Sequence, residues 1–265
     1  MKKYFRDNDY FTPSHVKHYA GDILFFKTRV YFYLLLVKRI VLSSIFKARR
    51  GLYNHAFWAE SSFNTLKDLE RCGIKFNISG LNYIRETEGP VVFVANHMSN
   101  LETFILPSVI LPEKPLVFVI KESLRKSPFF GEIMKATSAI SVGRKNPKND
   151  LKTVLTEGEQ RLKDGISIAI FPQSTRHSYF DKKKFNSLGI KVAKRAGVPV
   201  IPLALKTDCL ENGKIIKDFG KLNRKKIVYF KFGPAVKIEG NGKFEHEKIV
   251  EFISSSLKEW GVELI

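Results

Sequence analysis

Gly89-Pro90-Val91-Val92-Phe93-Val94-Ala95-Asn96-His97-Met98-Ser99-Asn100-Leu101-Glu102 decides the fold of this chain. After the Gly-Pro break comes an apolar run, Val91 to Ala95, that is too short for a helix and rich in β-branched and aromatic residues, so it predicts a buried strand. Leu101 to Leu111 then reads as a helix. A strand that passes into a helix through a short polar turn is the building unit of a parallel α/β sheet. The turn carries His97 and Glu102 at the strand's C-terminal end, the edge on which open α/β sheets bind ligands. A histidine beside an acid is also the smallest unit able to draw a proton off a hydroxyl.

The flanking sequence repeats the alternation. On the N-terminal side, Ala56 to Arg71 predicts a helix and Gly73 to Leu81 a strand with a turn. On the other side, Leu116 to Ile120 reads as a short strand, and Ser127-Pro128 as the cap and first residue of a helix through Ala136. Ser138 to Val142 reads as a strand. Asn146-Pro147 opens the clearest helix, in which Leu151, Val154, Leu155, Gly158 and Leu162 step by three and four before Asp164-Gly165 ends it. Strands follow at Ile166 to Phe171, Val200 to Leu205 and Ile227 to Phe232, with helices at Asn186 to Ala196 and Phe244 to Trp260. The expected fold is a mostly parallel central sheet flanked by helices, as one domain over residues 56–265, preceded by an arm over residues 1–55.

Composition bounds the function. With 265 residues and 44% apolar content the chain can bury a full core, so disorder is excluded. Cys72 and Cys209 stand far apart with no Cys or His at ligand spacing, which argues against a disulfide framework or a structural metal. The net charge of +19 draws the chain toward polyanions: nucleic acid, anionic headgroups or phosphorylated substrates. Residues 1–50 hold eleven Lys or Arg against three Asp, a net of +8, threaded through apolar sequence. Within Ile23 to Phe46 the longest uncharged pieces are Val30 to Val37 and Ile40 to Phe46. Eight helical residues reach only ~12 Å against a hydrocarbon core of ~30 Å, so the segment is read as helices lying on or dipping into a bilayer surface. The alternative is a helical hairpin packed on the main body. Acidic residues in the leader, and no small-residue cleavage site after it, argue against a signal peptide.

Three later loops carry notable residues: Ser141-Val142-Gly143-Arg144; Phe171-Pro172-Gln173-Ser174-Thr175-Arg176-His177; and Gly197-Val198-Pro199-Val200-Ile201-Pro202. If these strand ends share an edge with His97, two guanidinium forks flank the histidine, a geometry suited to phosphate. With these blocks in order, the chain resembles the glycerolipid acyltransferases that include the 1-acylglycerol-3-phosphate acyltransferases. The family's NH-x4-D block is matched by Asn96-His97-x4-Glu102, its second block by Ile140 to Arg144, its FPEGTRS block by Phe171 to His177, and its proline-containing apolar block by Val198 to Pro202.

The resemblance implies transfer of a fatty acyl group from coenzyme A or acyl carrier protein to the hydroxyl of a lysophospholipid, most simply lysophosphatidic acid, with no further cofactor and no metal. It implies His97 as general base and Glu102 as the acid that fixes its tautomer. It assigns Arg144, Thr175 and Arg176 to the acceptor phosphate, with Asn96, Ser99, Gln173 and Ser174 in support. The residues themselves show no G-x-S-x-G elbow, and neither cysteine lies in a block. The implied setting is the cytoplasmic face of a bacterial inner membrane, with anionic lipids as partners and no nucleic acid.

Two departures stand out. Glu102 replaces the family aspartate, and Gln173, Ser174 and His177 replace Glu, Gly and Ser in the third block, which leaves another lysophospholipid or an aminolipid open as acceptor. Ser99-x-x-Glu102 also reads as a capping box ahead of an apolar helix, a role compatible with the catalytic one. Taken singly, Arg144 and Arg176 read more readily as surface ion-pair partners than as ligand clamps. Two other classes stay open: a basic nucleic-acid-binding protein, against which the apolar arm and the absence of a binding signature weigh, and a membrane-surface protein whose site has decayed.

Overall fold

The computed structural model describes residues 4–127, 130–173, 175–213 and 219–265. The sheet has eight strands: β1 (Tyr10–Phe11), β2 (Lys75–Ser79), β3 (Val92–Ala95), β4 (Leu116–Lys121), β5 (Ile140–Val142), β6 (Ser167–Ile170), β7 (Val200–Lys206) and β8 (Ile227–Phe232), in the order β1-β2-β8-β7-β3-β6-β4-β5. From β7 to β5 all neighbours are parallel, as β2 and β8 are; β1–β2 and β7–β8 are antiparallel. β3 is central, with Val92 opposite Ile168 of β6 on one side and Val200 of β7 on the other.

Central strands are buried on both faces, which is why they read as continuous apolar runs. Period-two alternation sorts their side chains into two cores. Phe93 and Ala95 point to the same side as Phe118, Ala169 and Leu203 and meet α4 (His55–Arg71) and α6 (Leu101–Ile110). Val92 and Val94 point the other way with Ile168, Ile170 and Val200, against α9 (Pro147–Lys163), α10 (Leu188–Ala196) and α11 (Lys243–Glu259). Gly189 of α10 lets that helix close on β3, because a Cβ there would lie 2.3 Å from Val94 Cγ2. Asn146 caps α9 by accepting from the N–H groups of Lys148 and Asn149, with Pro147 in its first turn, as the sequence predicts.

Short elements escape the periodicity. α5 (Leu81–Glu86) and α7 (Glu122–Arg125) lie where no helix is expected, and α8 (Gly131–Ala136) begins later than the Ser127-Pro128 signal suggests, Pro128 itself lying outside the described residues.

The arm contributes α1 (Ala20–Leu24), α2 (Arg29–Leu36), a π-helical stretch Val37–Ser44 and α3 (Ile45–Arg49). The expected boundary near residue 55 falls at the turn into α4, while β1, on the arm's side of it, is an edge strand of the sheet, and Phe5 and Tyr10 belong to its core. Buried carboxylates tie the arm to the body. Asp68 accepts from the Tyr19 hydroxyl at 2.6 Å and pairs with Arg39; Glu70 accepts from Tyr10 at 2.6 Å and Thr12 at 2.7 Å; Asp22 pairs with Arg224 at 2.7 Å. Facing away from these contacts, Ile23, Leu24, Phe26, Val30, Leu34, Leu42 and Phe46 are exposed, Phe26 to 89%. No helix among the described residues is long and apolar enough to cross a membrane.

Candidate functional site

The site is built where β3 ends. Asn96 closes the strand: its side-chain oxygen accepts from Leu205 N–H at 2.8 Å and its Nδ2 donates to the Leu205 carbonyl at 2.7 Å. The buried amide thus continues the β3–β7 ladder by one rung and fixes where the next residue leaves the sheet. That residue is His97, whose ring lies against Phe171 with centroids 4.5 Å apart and whose side chain keeps 17% of its surface exposed.

Glu102, in the first turn of α6, is fully buried and divides its two oxygens between two jobs. Oε1 accepts from Met98 N–H at 2.7 Å, Ser99 N–H at 3.0 Å and the Thr207 hydroxyl at 2.6 Å. Oε2 takes His97 Nδ1. The backbone bonds a capping glutamate makes thus fall on one oxygen and the histidine contact on the other, and the Ser99 Oγ completes the turn by accepting from Leu101 N–H at 3.2 Å and donating to Thr207 Oγ at 2.9 Å. With a carboxylate on Nδ1, that nitrogen carries the proton and Nε2 keeps its lone pair, the tautomer a general base requires.

The third block closes over this pair. Gln173 is 3% exposed; its Oε1 accepts from the His97 main-chain N–H at 3.2 Å, and its Nε2 is buried without a hydrogen-bond partner among the described residues. His177 N–H donates to the His97 carbonyl at 3.0 Å, and Arg176 donates to Asn100 Oδ1, so the block's arginine sits on the first motif. Thr175 is exposed beside it, and Ser174 lies outside the described residues.

Arg144 occupies a different place. It follows β5 with φ +60°, and its main-chain N–H, like that of Gly143 at 2.9 Å, donates to Asp150 of α9, at 2.8 Å. β5 lies three strands from β3, about 14 Å at the usual strand spacing, on the same C-terminal edge. Arg176, on the loop of the adjacent strand β6, is the nearer guanidinium; the two do not flank His97 symmetrically. Lys121, exposed at the end of β4, lies between them on that edge.

Sequence reading missed Thr207. It follows β7 directly, past the proline-containing block, and lies 105 positions from the glutamate it serves. A hydroxyl just beyond a buried strand is the only signal it offers. The thiols are set apart from this chemistry: burial pushes Cys72 up to about 12 and raises Cys209 as well, so neither is a thiolate near neutrality.

The chain belongs to the acyltransferase family, whose model matches residues 75–206. It is 33% identical over 170 residues to a 1-acyl-sn-glycerol-3-phosphate acyltransferase of Pseudomonas aeruginosa, covering 64% of this chain and 62% of that protein. It is 30% identical over 138 residues to the enzyme of the same name from Escherichia coli, covering 49% of this chain and 56% of that one. The chain thus spans between half and two thirds of these relatives. The crystal structure of the 1-acyl-sn-glycerophosphate acyltransferase PlsC from Thermotoga maritima superposes with a TM-score of 0.63 over 89% of this chain and 95% of that one, at 19% identity, which is a likeness of fold.

Proposed function

We propose that this protein transfers a fatty acyl group from a thioester, acyl-coenzyme A or acyl carrier protein, to the free hydroxyl of a lysophospholipid, with 1-acyl-sn-glycerol 3-phosphate as acceptor and phosphatidic acid as product. The observation that carries the reading is the division of Glu102: one oxygen anchored by three donors, the other holding His97 Nδ1. His97 Nε2 takes the hydroxyl proton as that oxygen bonds to the thioester carbonyl carbon. The tetrahedral intermediate collapses with cleavage of the C–S bond, and the imidazolium returns its proton to the leaving thiolate. No enzyme nucleophile is needed, in keeping with two thiols held protonated by burial. Arg176, seated on Asn100 of the first motif, is the guanidinium for the acceptor's phosphate, with Thr175 beside it and Lys121 and Arg144 farther along the same edge.

The relatives' names support the acceptor. Gln173, which offers a donor amide where the family pattern has a carboxylate, keeps another lysophospholipid or an aminolipid as the alternative. The exposed apolar stripe of the arm, edged by Lys27, Arg29, Lys38, Lys47 and Arg49, supports a monotopic seat on an anionic membrane, at the cytoplasmic face of a bacterial inner membrane.

Mass spectrometry of products from a mixture of lysolipid acceptors and one acyl thioester tests the reading. Phosphatidic acid should form with the native chain and not with His97→Ala. Equal product from both would remove the mechanism, and acylation of every acceptor except lysophosphatidic acid would remove the substrate.

A further inference from the structure

Asn100 stands at the start of α6, and asparagine is among the residues best suited to cap a helix by accepting from N–H groups of its first turn. Here its side chain makes no such bond. Other groups hold the turn: Ser99 Oγ accepts from Leu101 N–H at 3.2 Å, and the Asn100 carbonyl accepts from Thr103 N–H at 3.2 Å and from the Thr103 hydroxyl at 2.9 Å. The Asn100 amide oxygen accepts instead from the Arg176 guanidinium, 76 positions along the chain.

Arg176 lies on a loop without regular structure, where a long side chain would otherwise sample many rotamers. The chemical type of its anchor matters. An amide oxygen is neutral, so it orients the planar fork and leaves the positive charge for an anion, whereas a carboxylate in its place would neutralise that charge. Glu102, two residues on in the same turn, holds His97. The first turn of α6 therefore fixes both the imidazole and the guanidinium. We propose that Asn100 is a positioning residue for acceptor recognition: it holds the Arg176 fork at a set reach from His97, so that the phosphate and the hydroxyl of one acceptor are gripped together. The inference rests on the acyl-transfer reading of the site and deepens it.

Steady-state kinetics with lysophosphatidic acid, and calorimetric titration of glycerol 3-phosphate, test it. A lost bond to a charged donor corresponds to a factor of about 10, so Asn100→Ala should raise the acceptor KM about 10-fold, with kcat and the donor KM within about twofold of native. Asn100→Asp keeps the shape and the accepting oxygen and suits a helix N-terminus, so a merely structural role would leave KM in place. A carboxylate paired with Arg176 should instead raise it about 10-fold or more. In the Arg176→Ala background neither change should add to the effect, because the fork that Asn100 orients is gone. Native KM in Asn100→Asp, or a further full increase in the Arg176→Ala background, would overturn the assignment. Glycerol 3-phosphate, the bare headgroup, makes the same comparison without turnover, and its affinity should fall by a similar factor in both Asn100 variants. No binding to the native chain, or equal binding to all three proteins, overturns the proposal whether or not turnover is seen. A native chain that binds the headgroup through Asn100 yet fails to acylate lysophosphatidic acid would sink the acyl-transfer reading alone.

Discussion

Glu102→Gln offers the sharpest test of the site, because the two oxygens of this residue have separable roles. A glutamine can place its carbonyl oxygen where Oε1 now accepts from Met98, Ser99 and Thr207, so the turn ahead of α6 keeps its three bonds. Each changes from charge-assisted to neutral, a loss of about 1 kcal/mol per bond, partly offset because a buried charge is no longer desolvated. A net cost of about 1–3 kcal/mol leaves a domain with ~5–15 kcal/mol of stability folded. The other end fares differently. The amide NH2 now faces His97 Nδ1 and can only donate, so the ring must accept there and carry its proton on Nε2, the wrong tautomer for a base. In serine-protease triads the corresponding change lowers kcat by about 10⁴, and a fall of three to four orders is expected here. Glu102→Ala, by contrast, strands three buried donors at ~1–3 kcal/mol each and should unfold the chain or nearly so. Stopped thiol-release assays with an acyl thioester, run beside thermal unfolding, separate the outcomes. A Glu102→Gln variant that folds and keeps kcat within tenfold of the native value would refute the argument.

Other expectations follow from the same geometry. Arg176→Ala should raise the acceptor KM more than Arg144→Ala does, since Arg176 lies on the first motif and Arg144 three strands away; steady-state kinetics with acceptor and donor varied separately check this, and the reverse order would reassign the phosphate. Gly189→Ala drives a methyl into Val94 and should cost about 1–3 kcal/mol, read as a lowered denaturation midpoint. Burial lowers the pKa of His246, stacked on Phe185 at 6.1 Å, and of His55. The unfolded chain then binds more protons than the native one, so stability is full above about pH 6.5 and falls as pH drops through the lowered native values. His246→Phe should show a shallower fall between neutral and mildly acid pH; an unchanged slope would exclude His246 as a source. Cys72 and Cys209 should resist a thiol reagent in the native state and react fully only on unfolding.

Much of this molecule is legible from local sequence. Period-two and period-three-to-four patterns locate the long elements, and His97 with Glu102 can be read as a pair because five residues around one turn settle their meeting. Asn146-Pro147 likewise announces α9, since a cap and its helix are neighbours. The segments Leu81–Glu86 and Glu122–Arg125 carry too few residues for a periodicity to register, and β1 is only two residues long.

Other features depend on strand order, which no local pattern encodes. Nothing near Ile227 reveals that β8 runs antiparallel to β7 and parallel to β2. Nothing near Thr207 reveals that its hydroxyl anchors a glutamate in another loop, and nothing near Asp68 or Glu70 reveals that they fasten the arm. Arg144 and Arg176 look equivalent along the chain, yet β6 adjoins β3 and β5 does not, and Arg176 is seated on Asn100 of the histidine's motif. The sequence by itself determined the elements, the apolar basic arm and the dyad, because side chains within one turn meet whatever the rest of the chain does. The tertiary structure alone decided which distant groups complete the site, because their meeting depends on how the sheet stacks its strands.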